Sequence, residues 1–267
     1  MQEDLNISQL GTLGFVGCGT IAAAIITGLR AAGHGGLILL SPRNAEIAAG
    51  LAARFDNIKV MPTNQAVLDG SDTVALAVRP QIAAGVLAEL RFKPEHHVLS
   101  LIATTPLAWL RVATAPAEVV TRAIPLPAVA LRQGPTAIYP PNPKIQALFD
   151  SLGTAVALTD ESAFDTFLAA TAFMASHFRF AGAVADWMAA KGVAPSTANL
   201  FMTQMLQGMA ETKAESPDGD FTAIAVEHQT AGGLNEQVAR QLTDRGVFAA
   251  VPEAMEAIVA RLRAAKS

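Results

Sequence analysis

Cysteine is nearly absent. Cys18 is the only one in 267 residues, so no disulfide can close within the chain. No spacing of Cys, His, Asp and Glu resembles a zinc site, and His96 and His97 are adjacent rather than spaced as a metal pair. The sequence therefore predicts no bound metal. Charge is sparse too: 16% of residues are charged, the formal net charge is -4, and no basic block occurs. A nucleic-acid partner is not expected from such a balance. The first ten residues lack the basic and apolar regions of a signal peptide. No apolar run reaches membrane-spanning length without Gly, Pro or charge. The expectation is a cytoplasmic protein with no membrane partner. With 51% hydrophobic residues, the chain can bury a large core.

What is present is a strand, a glycine turn and an alanine-rich helix, Leu13-Gly14-Phe15-Val16-Gly17-Cys18-Gly19-Thr20-Ile21-Ala22. Gly17, Gly19 and Ala22 fit the G-x-G-x-x-G/A fingerprint of a dinucleotide-binding βαβ unit. Gly17 permits a tight turn out of the strand. Gly19 has no Cβ, so backbone can approach a pyrophosphate. Ala22 lets the helix lie close to the sheet. The free N–H groups and the dipole of the helix start then favour an anion. Cys18 sits inside this turn as a small packing residue, although a helix N-terminus can lower a thiol pKa.

Apolar runs at about 36–41, 58–61, 72–78, 97–102 and 117–122 read as further strands, with helices between them. That alternation predicts a parallel sheet with helices on both faces. Ligands then sit outside the carboxyl ends of the strands. The cofactor-facing candidates are Gly17, Cys18, Gly19, Thr20 and Ile21, then Ser41, Arg43 and Asn44, then Asn64. Ala77, Val78, Arg79 and Pro80 follow at the next strand end, and Ala103 at the one after. At the second strand end, NAD-preferring sites place an acid on the ribose 2′-OH. Here Ser41, Arg43 and Asn44 stand instead. A hydroxyl, a guanidinium and an amide suit a 2′-phosphate, so NADP(H) is expected, with NAD(H) as the alternative. Arg43 as an ordinary solvated first-turn residue is the bland alternative.

A proline-rich run at 124–143 reads as irregular chain with short extended pieces. A helix at 145–152 and a strand at 154–158 follow. From Asp160, a plausible N-cap, the pattern turns helical: 161–191, 195–215, 221–229, 234–244 and 247–265, with a turn at 216–219. These helices are apolar around much of their circumference. In a chain of this size that predicts a second copy covering them. Met188, Met202, Met205 and Met209 fall near helical spacing and read as core or interface filler. The division expected is residues 1–159 as a Rossmann domain and 160–267 as an all-helical substrate and dimerisation domain.

In this order the segments resemble the pyrroline-5-carboxylate reductases. Residues 13–22 are similar to that family's opening IGFIGxGxMA. Leu76-Ala77-Val78-Arg79-Pro80-Gln81 is similar to LAVKPQ, Leu99-Ser100-Leu101-Ile102-Ala103 to ISIAAG, and Arg122-Ala123-Ile124-Pro125-Leu126-Pro127-Ala128 to RxMPNxPA. Gly232-Gly233-Leu234 and Arg245-Gly246-Val247-Phe248 resemble the closing SPGGTT and GGF segments. The resemblance implies a Rossmann doubly wound α/β domain followed by an interlocking, all-helical dimerisation domain. It also implies NADPH reduction of a cyclic imine carboxylate to proline. Departures gather where the family binds substrate. Met174-Ala175-Ser176-His177-Phe178-Arg179-Phe180 aligns with SGSGPAY. Leu126 stands for the asparagine of MPN, and Asn235 for the threonine that bonds the imine end. Thr230 and Ala231 stand for the serine and proline.

Hydride transfer requires no metal and no protein nucleophile. It requires orientation and a proton for the imine nitrogen. His177 is the candidate donor, histidine being the side chain whose charge changes nearest neutral pH. Arg179 is the candidate partner for a substrate carboxylate. Asn235 and Thr230 are the further catalytic candidates, and Gly232 and Gly233 the further substrate-binding ones. The bland alternatives are pocket-filling or bridging for His177 and Arg179, and N-capping for Asn235. The function expected is reduction of a small imine. A paralogue acting on another imine or carbonyl compound, or a cofactor-binding protein without catalysis, stands as the alternative.

Overall fold

The computed structural model describes residues 10–216 and 220–264. The acidic stretch before Leu10, most of the expected turn at 216–219 and the end of the last expected helix lie outside the described residues. Eight strands form one sheet: β1 Leu13–Val16, β2 Ile38–Leu40, β3 Ile58–Val60, β4 Thr73–Leu76, β5 His97–Ser100, β6 Val119–Ile124, β7 Pro135–Tyr139 and β8 Thr154–Ala157. Their order is β3-β2-β1-β4-β5-β6-β7-β8. β1 and β4 are buried along their whole length, as strands covered on both faces must be.

Every pairing is parallel except β6 with β7, which is antiparallel. This departs from the all-parallel expectation. The link at residues 125–134 contains only a 3-10 turn, Pro127–Leu131. It is shorter than the dozen or more residues a parallel crossover requires. The proline-rich run read as irregular chain therefore contains β7.

Six helices flank the sheet: α1 Thr20–Ala31, α2 Ala45–Arg54, α3 Asn64–Asp69, α4 Pro80–Ala88, α5 Leu107–Ala113 and α6 Pro143–Asp150. Ile25, Leu51 and Phe149, from α1, α2 and α6, share one core layer. Leu68, Leu87 and Leu110, from α3, α4 and α5, share the other. The sheet is thus doubly wound. α1 also packs on the 3-10 turn, and a Cβ at Gly28 would lie 2.1 Å from the Val129 carbonyl oxygen. Gly28→Ala gains about 1 kcal/mol of helix propensity, but overpacking against backbone costs about 1–3 kcal/mol. We expect a net loss of stability, read as a lower denaturation midpoint; an unchanged or higher midpoint would contradict this packing.

Among the described residues, six more helices follow: α7 Glu161–Thr171, α8 Phe173–Ala190, α9 Pro195–Glu215, α10 Phe221–Glu227, α11 Leu234–Asp244 and α12 Ala250–Ala264. Asp160 accepts hydrogen bonds from the Ser162 N–H and hydroxyl at the start of α7, which hold its carboxyl below the usual range. The single stretch expected at 161–191 is broken at Ala172, whose N–H bonds the Ala169 carbonyl at 3.0 Å in a tightened turn. One compact unit takes the chain up to Leu168 together with residues from Arg261 onward. The other runs from Ala169 to Ala260.

The second unit buries little of itself. α8 and α9 meet through Ala185, Ala198 and Met202, with Ala181 and Met188 partly covered. Neither α10 nor α11 contains a fully buried residue. Phe178, Trp187, Leu200, Phe201 and Leu234 are exposed. The helical run Glu161–Ala190 is long and apolar enough to cross a membrane by length and composition alone, and little of it is buried within one chain.

Candidate functional site

The carboxyl ends of β1, β2, β3, β4 and β5 all point to one edge of the sheet, because these strands are parallel. The glycine turn stands at its centre, where the strand order reverses between β1 and β4. Gly17 has φ +98°, and a Cβ there would lie 2.6 Å from the Ala77 carbonyl oxygen. The turn thus requires glycine twice over, for its backbone angle and for the close approach of β4's end. Gly19 is the opposite case: a Cβ there would meet nothing within 4 Å. It opens onto free space at the N-cap of α1, which has neither a side-chain cap nor an acid in its first turn. Ala22 is fully buried beneath. A pyrophosphate fits these features: donors without protein partners at a helix start, no competing carboxylate and room above bare backbone.

Ser41 and Asn44 are brought to the turn by hydrogen bonds. The Gly17 N–H donates to Ser41 Oγ at 2.9 Å, and Ser41 is buried. Asn44 Nδ2 donates to the Cys18 carbonyl at 3.0 Å. Asn44 takes the left-handed φ of +58° at the N-cap of α2, a conformation asparagine tolerates. Both side chains therefore brace the glycine turn. Arg43 is exposed beside them. Asn64 is half-buried at the first turn of α3, whose cap is Thr63. Arg79 caps α4 and Pro80 begins it. Ala77, Val78 and Ala103 are half-buried along the same edge, and Thr20 and Ile21 open α1.

Cys18 is 1% exposed, and burial pushes its thiol pKa up. The helix start does not make it reactive, since the thiolate is the nucleophile. Only its backbone belongs to the site. We expect a thiol reagent to modify the native protein on the order of a hundredfold more slowly than the denatured one. Equal rates would place the thiol at the surface.

One charged pair escaped the sequence reading. Arg122 lies on β6 within the apolar run Val119–Ile124 and is 1% exposed. Its Nη1 donates to Glu161 Oε1 at 2.7 Å and its Nη2 to the Ala103 carbonyl at 3.0 Å. The guanidinium lies 4.1 Å from the Phe164 ring centroid. Burial pulls its pKa down, and Glu161 and Asp165 oppose that. The signal was available: an arginine in a strand otherwise bound for the core must find a partner.

In the second unit, His177 and Arg179 both lie early in α8 and are exposed. Two residues apart on a helix, they project about 200° from each other. The His177 ring meets Phe178 edge-on at 5.8 Å. The loop between α10 and α11 and the first turn of α11 hold the other candidates. Asn235 Nδ2 donates to the His228 carbonyl at 2.8 Å, the Gly232 N–H to Glu236 Oε2 at 2.6 Å, and the Gly233 N–H to the Thr230 carbonyl at 2.7 Å. Gly232 has φ +72°. Asn235 braces this loop through its amide nitrogen. Among the described residues, no group of three or more His, Cys, Asp or Glu side chains could hold a metal ion.

Elsewhere, a pocket of about 550 Å³ lies beside His34 and Asn57, at the amino ends of β2 and β3. Arg30 there donates to the carbonyls of His34, Gly36 and Asn57, so its guanidinium serves the turns around it.

The family model described as "NADP oxidoreductase coenzyme F420-dependent" matches residues 12–104. The model for pyrroline-5-carboxylate reductase dimerisation matches residues 161–265. A pyrroline-5-carboxylate reductase of Pseudomonas aeruginosa is 28% identical over 257 residues, covering 92% of this chain and 93% of that one. Together these matches support a member of the pyrroline-5-carboxylate reductase family. The enzyme of that name from Escherichia coli is 27% identical over 255 residues, covering 91% and 94%. Among solved structures, 1-pyrroline-5-carboxylate reductase from Streptococcus pyogenes superposes with a TM-score of 0.82 at 24% identity, over 95% of this chain and 98% of that one. The Plasmodium falciparum reductase, solved with NADP bound, gives 0.81 at 18% identity, covering 96% and 98%. The two structural likenesses confirm the fold: a Rossmann-like sheet domain, then a helical domain. The matched dimerisation domain supports a homo-oligomer, and the first model an NADP-class oxidoreductase.

Proposed function

We propose that this protein is an NADPH-dependent reductase of a C=N bond, taking 1-pyrroline-5-carboxylate or a related cyclic imine to proline or its analogue. The observation that carries this reading is that the likeness to the Pseudomonas aeruginosa reductase runs through both units, across 92% of the chain. The assembly we propose is a homodimer, or a higher oligomer built from it, through the C-terminal helices, in the cytoplasm. A second copy covers the apolar faces of α8 and α9 more economically than a bilayer, because a family dimerisation domain spans that region.

The cofactor, when bound, supplies a hydride. The chain's residues do the rest. Backbone N–H groups at Gly19, Thr20 and Ile21 bind the pyrophosphate, braced from behind by Ser41 and Asn44. Arg43 pairs with the 2′-phosphate, which favours NADP(H) over NAD(H), and Asn64 borders the adenosine end. Ala77, Val78, Arg79, Pro80 and Ala103 flank the nicotinamide end. On the substrate side, Thr230, Gly232, Gly233 and Asn235 orient the imine, and His177 delivers its proton to the ring nitrogen. Arg179, where a second copy presents it to the same site, holds the carboxylate. Because His177 and Arg179 leave α8 in nearly opposite directions, any one site on one side of that helix takes only one of them from a given chain.

The test is NADPH oxidation with pyrroline-5-carboxylate beside a panel of cyclic imines and keto acids. Turnover of pyrroline-5-carboxylate supports the proline assignment. Turnover of another imine alone moves the protein to a paralogous substrate. That second reading draws on one observation: His177, Phe178 and Arg179 form consecutive bulky positions in α8, where the resemblance has glycine, proline and alanine. NADPH binding without any turnover would remove both.

A further inference from the structure

The Arg122–Glu161 pair grips both ends of one short loop. Arg122 Nη2 donates to the carbonyl of Ala103 at 3.0 Å. Glu161 Oε1, which accepts from Arg122 Nη1 at 2.7 Å, also accepts from the N–H of Leu107 at 2.8 Å. Residues 103–107 lie in the link from β5, which ends at Ser100, to the start of α5 at Leu107. One guanidinium and one carboxylate oxygen thus hold the loop's first carbonyl and its last amide. The helix start of α5 has no side-chain cap of its own, so Glu161 supplies the acceptor from a distance of 54 residues in sequence. Phe164 covers the guanidinium, which is 1% exposed, while the Glu161 side chain is 31% exposed. Burying an arginine is costly unless it is paired and hydrogen-bonded. The chain bears that cost at a loop on the ligand-facing edge of the sheet.

We propose that Arg122 and Glu161 are positioning residues that fix the 103–107 loop against the nicotinamide end of the bound dinucleotide. This rests on the cofactor reading given above. The glycine turn at β1 fixes the pyrophosphate, and the dinucleotide then extends across the carboxyl ends of neighbouring strands. The adenosine half lies toward β2, so the nicotinamide half lies toward β4 and β5, where this loop begins. The pair acts through backbone; neither side chain touches the cofactor.

The experiment compares two probes on the full-length protein: NADPH, and 2′-phospho-ADP-ribose, which has every group of NADPH except the nicotinamide. Glu161→Ala is expected to weaken NADPH about tenfold, the scale of one lost charged hydrogen bond. The affinity for 2′-phospho-ADP-ribose is expected to stay unchanged. Glu161→Gln keeps an oxygen for the Leu107 N–H but loses the charge, and should weaken NADPH about threefold with the same split. That second variant decides the matter if Glu161→Ala does not fold. Equal losses for both probes would mean general damage and overturn the proposal, as would no loss for either. Failure of the wild-type protein to bind either probe would overturn the cofactor reading instead.

Discussion

Gly17→Ala abolishes dinucleotide binding. The new Cβ would lie 2.6 Å from the Ala77 carbonyl oxygen and 2.7 Å from its carbon, and these are backbone atoms at the end of a fully buried strand. They cannot rotate aside as a side chain would. The φ of +98° adds strain of about 1–3 kcal/mol, and overpacking adds about 1–3 kcal/mol more. Relief requires β1's turn to move away from β4, which also breaks the Gly17 N–H to Ser41 Oγ bond. We expect a clear fall in the denaturation midpoint and no measurable NADPH binding by fluorescence titration. Gly19→Ala is the informative partner. Its Cβ meets no protein atom, so stability should hold while a Cβ intrudes where the pyrophosphate lies. Equal stability losses in the two variants would mean the turn does not pack as described.

The second large effect concerns assembly. Trp187 lies in α8 and is 62% exposed in the single chain. Phe178 and Leu200 are similarly uncovered. A tryptophan at the centre of an interface is commonly worth more than 2 kcal/mol. Trp187→Glu loses that contact and buries an unpaired charge in any dimer that still forms. We expect about 3 kcal/mol, or roughly a hundredfold in dissociation constant, seen as a shift to monomer in light scattering at micromolar concentration. A variant that remains fully oligomeric would place the interface elsewhere.

Much of the first unit was legible because its rules are local. An apolar run ending in Gly17-Cys18-Gly19 and continuing in alanines has few ways to fold, and its β1-turn-α1 form was read directly. Pro80 at the start of α4 was equally plain, since proline suits a first helical turn. The antiparallel β7 was not, because proline spoils the local strand signal at 124–143 and the direction of β7 follows from link length. Ser41 and Asn44 show the same limit at the site. Their residue types and position marked them as near the dinucleotide, but not whether their polar atoms would face a ligand or the protein's own backbone. Adjacency in sequence pairs His177 with Arg179, and the helical geometry of α8 separates them.

Composition and pattern alone determined the class of the sheet, the place of the glycine turn and the need of the helical half for a partner, because hydrophobic period and glycine sterics are written residue by residue. Tertiary structure alone decided three matters: that Gly28 must be small beneath Val129, that Ser41 and Asn44 brace the turn, and that Arg122 is matched by Glu161. Each depends on atoms distant in sequence meeting in space. No local pattern encodes which distant carbonyl or carboxylate a side chain will find once the sheet has closed around it.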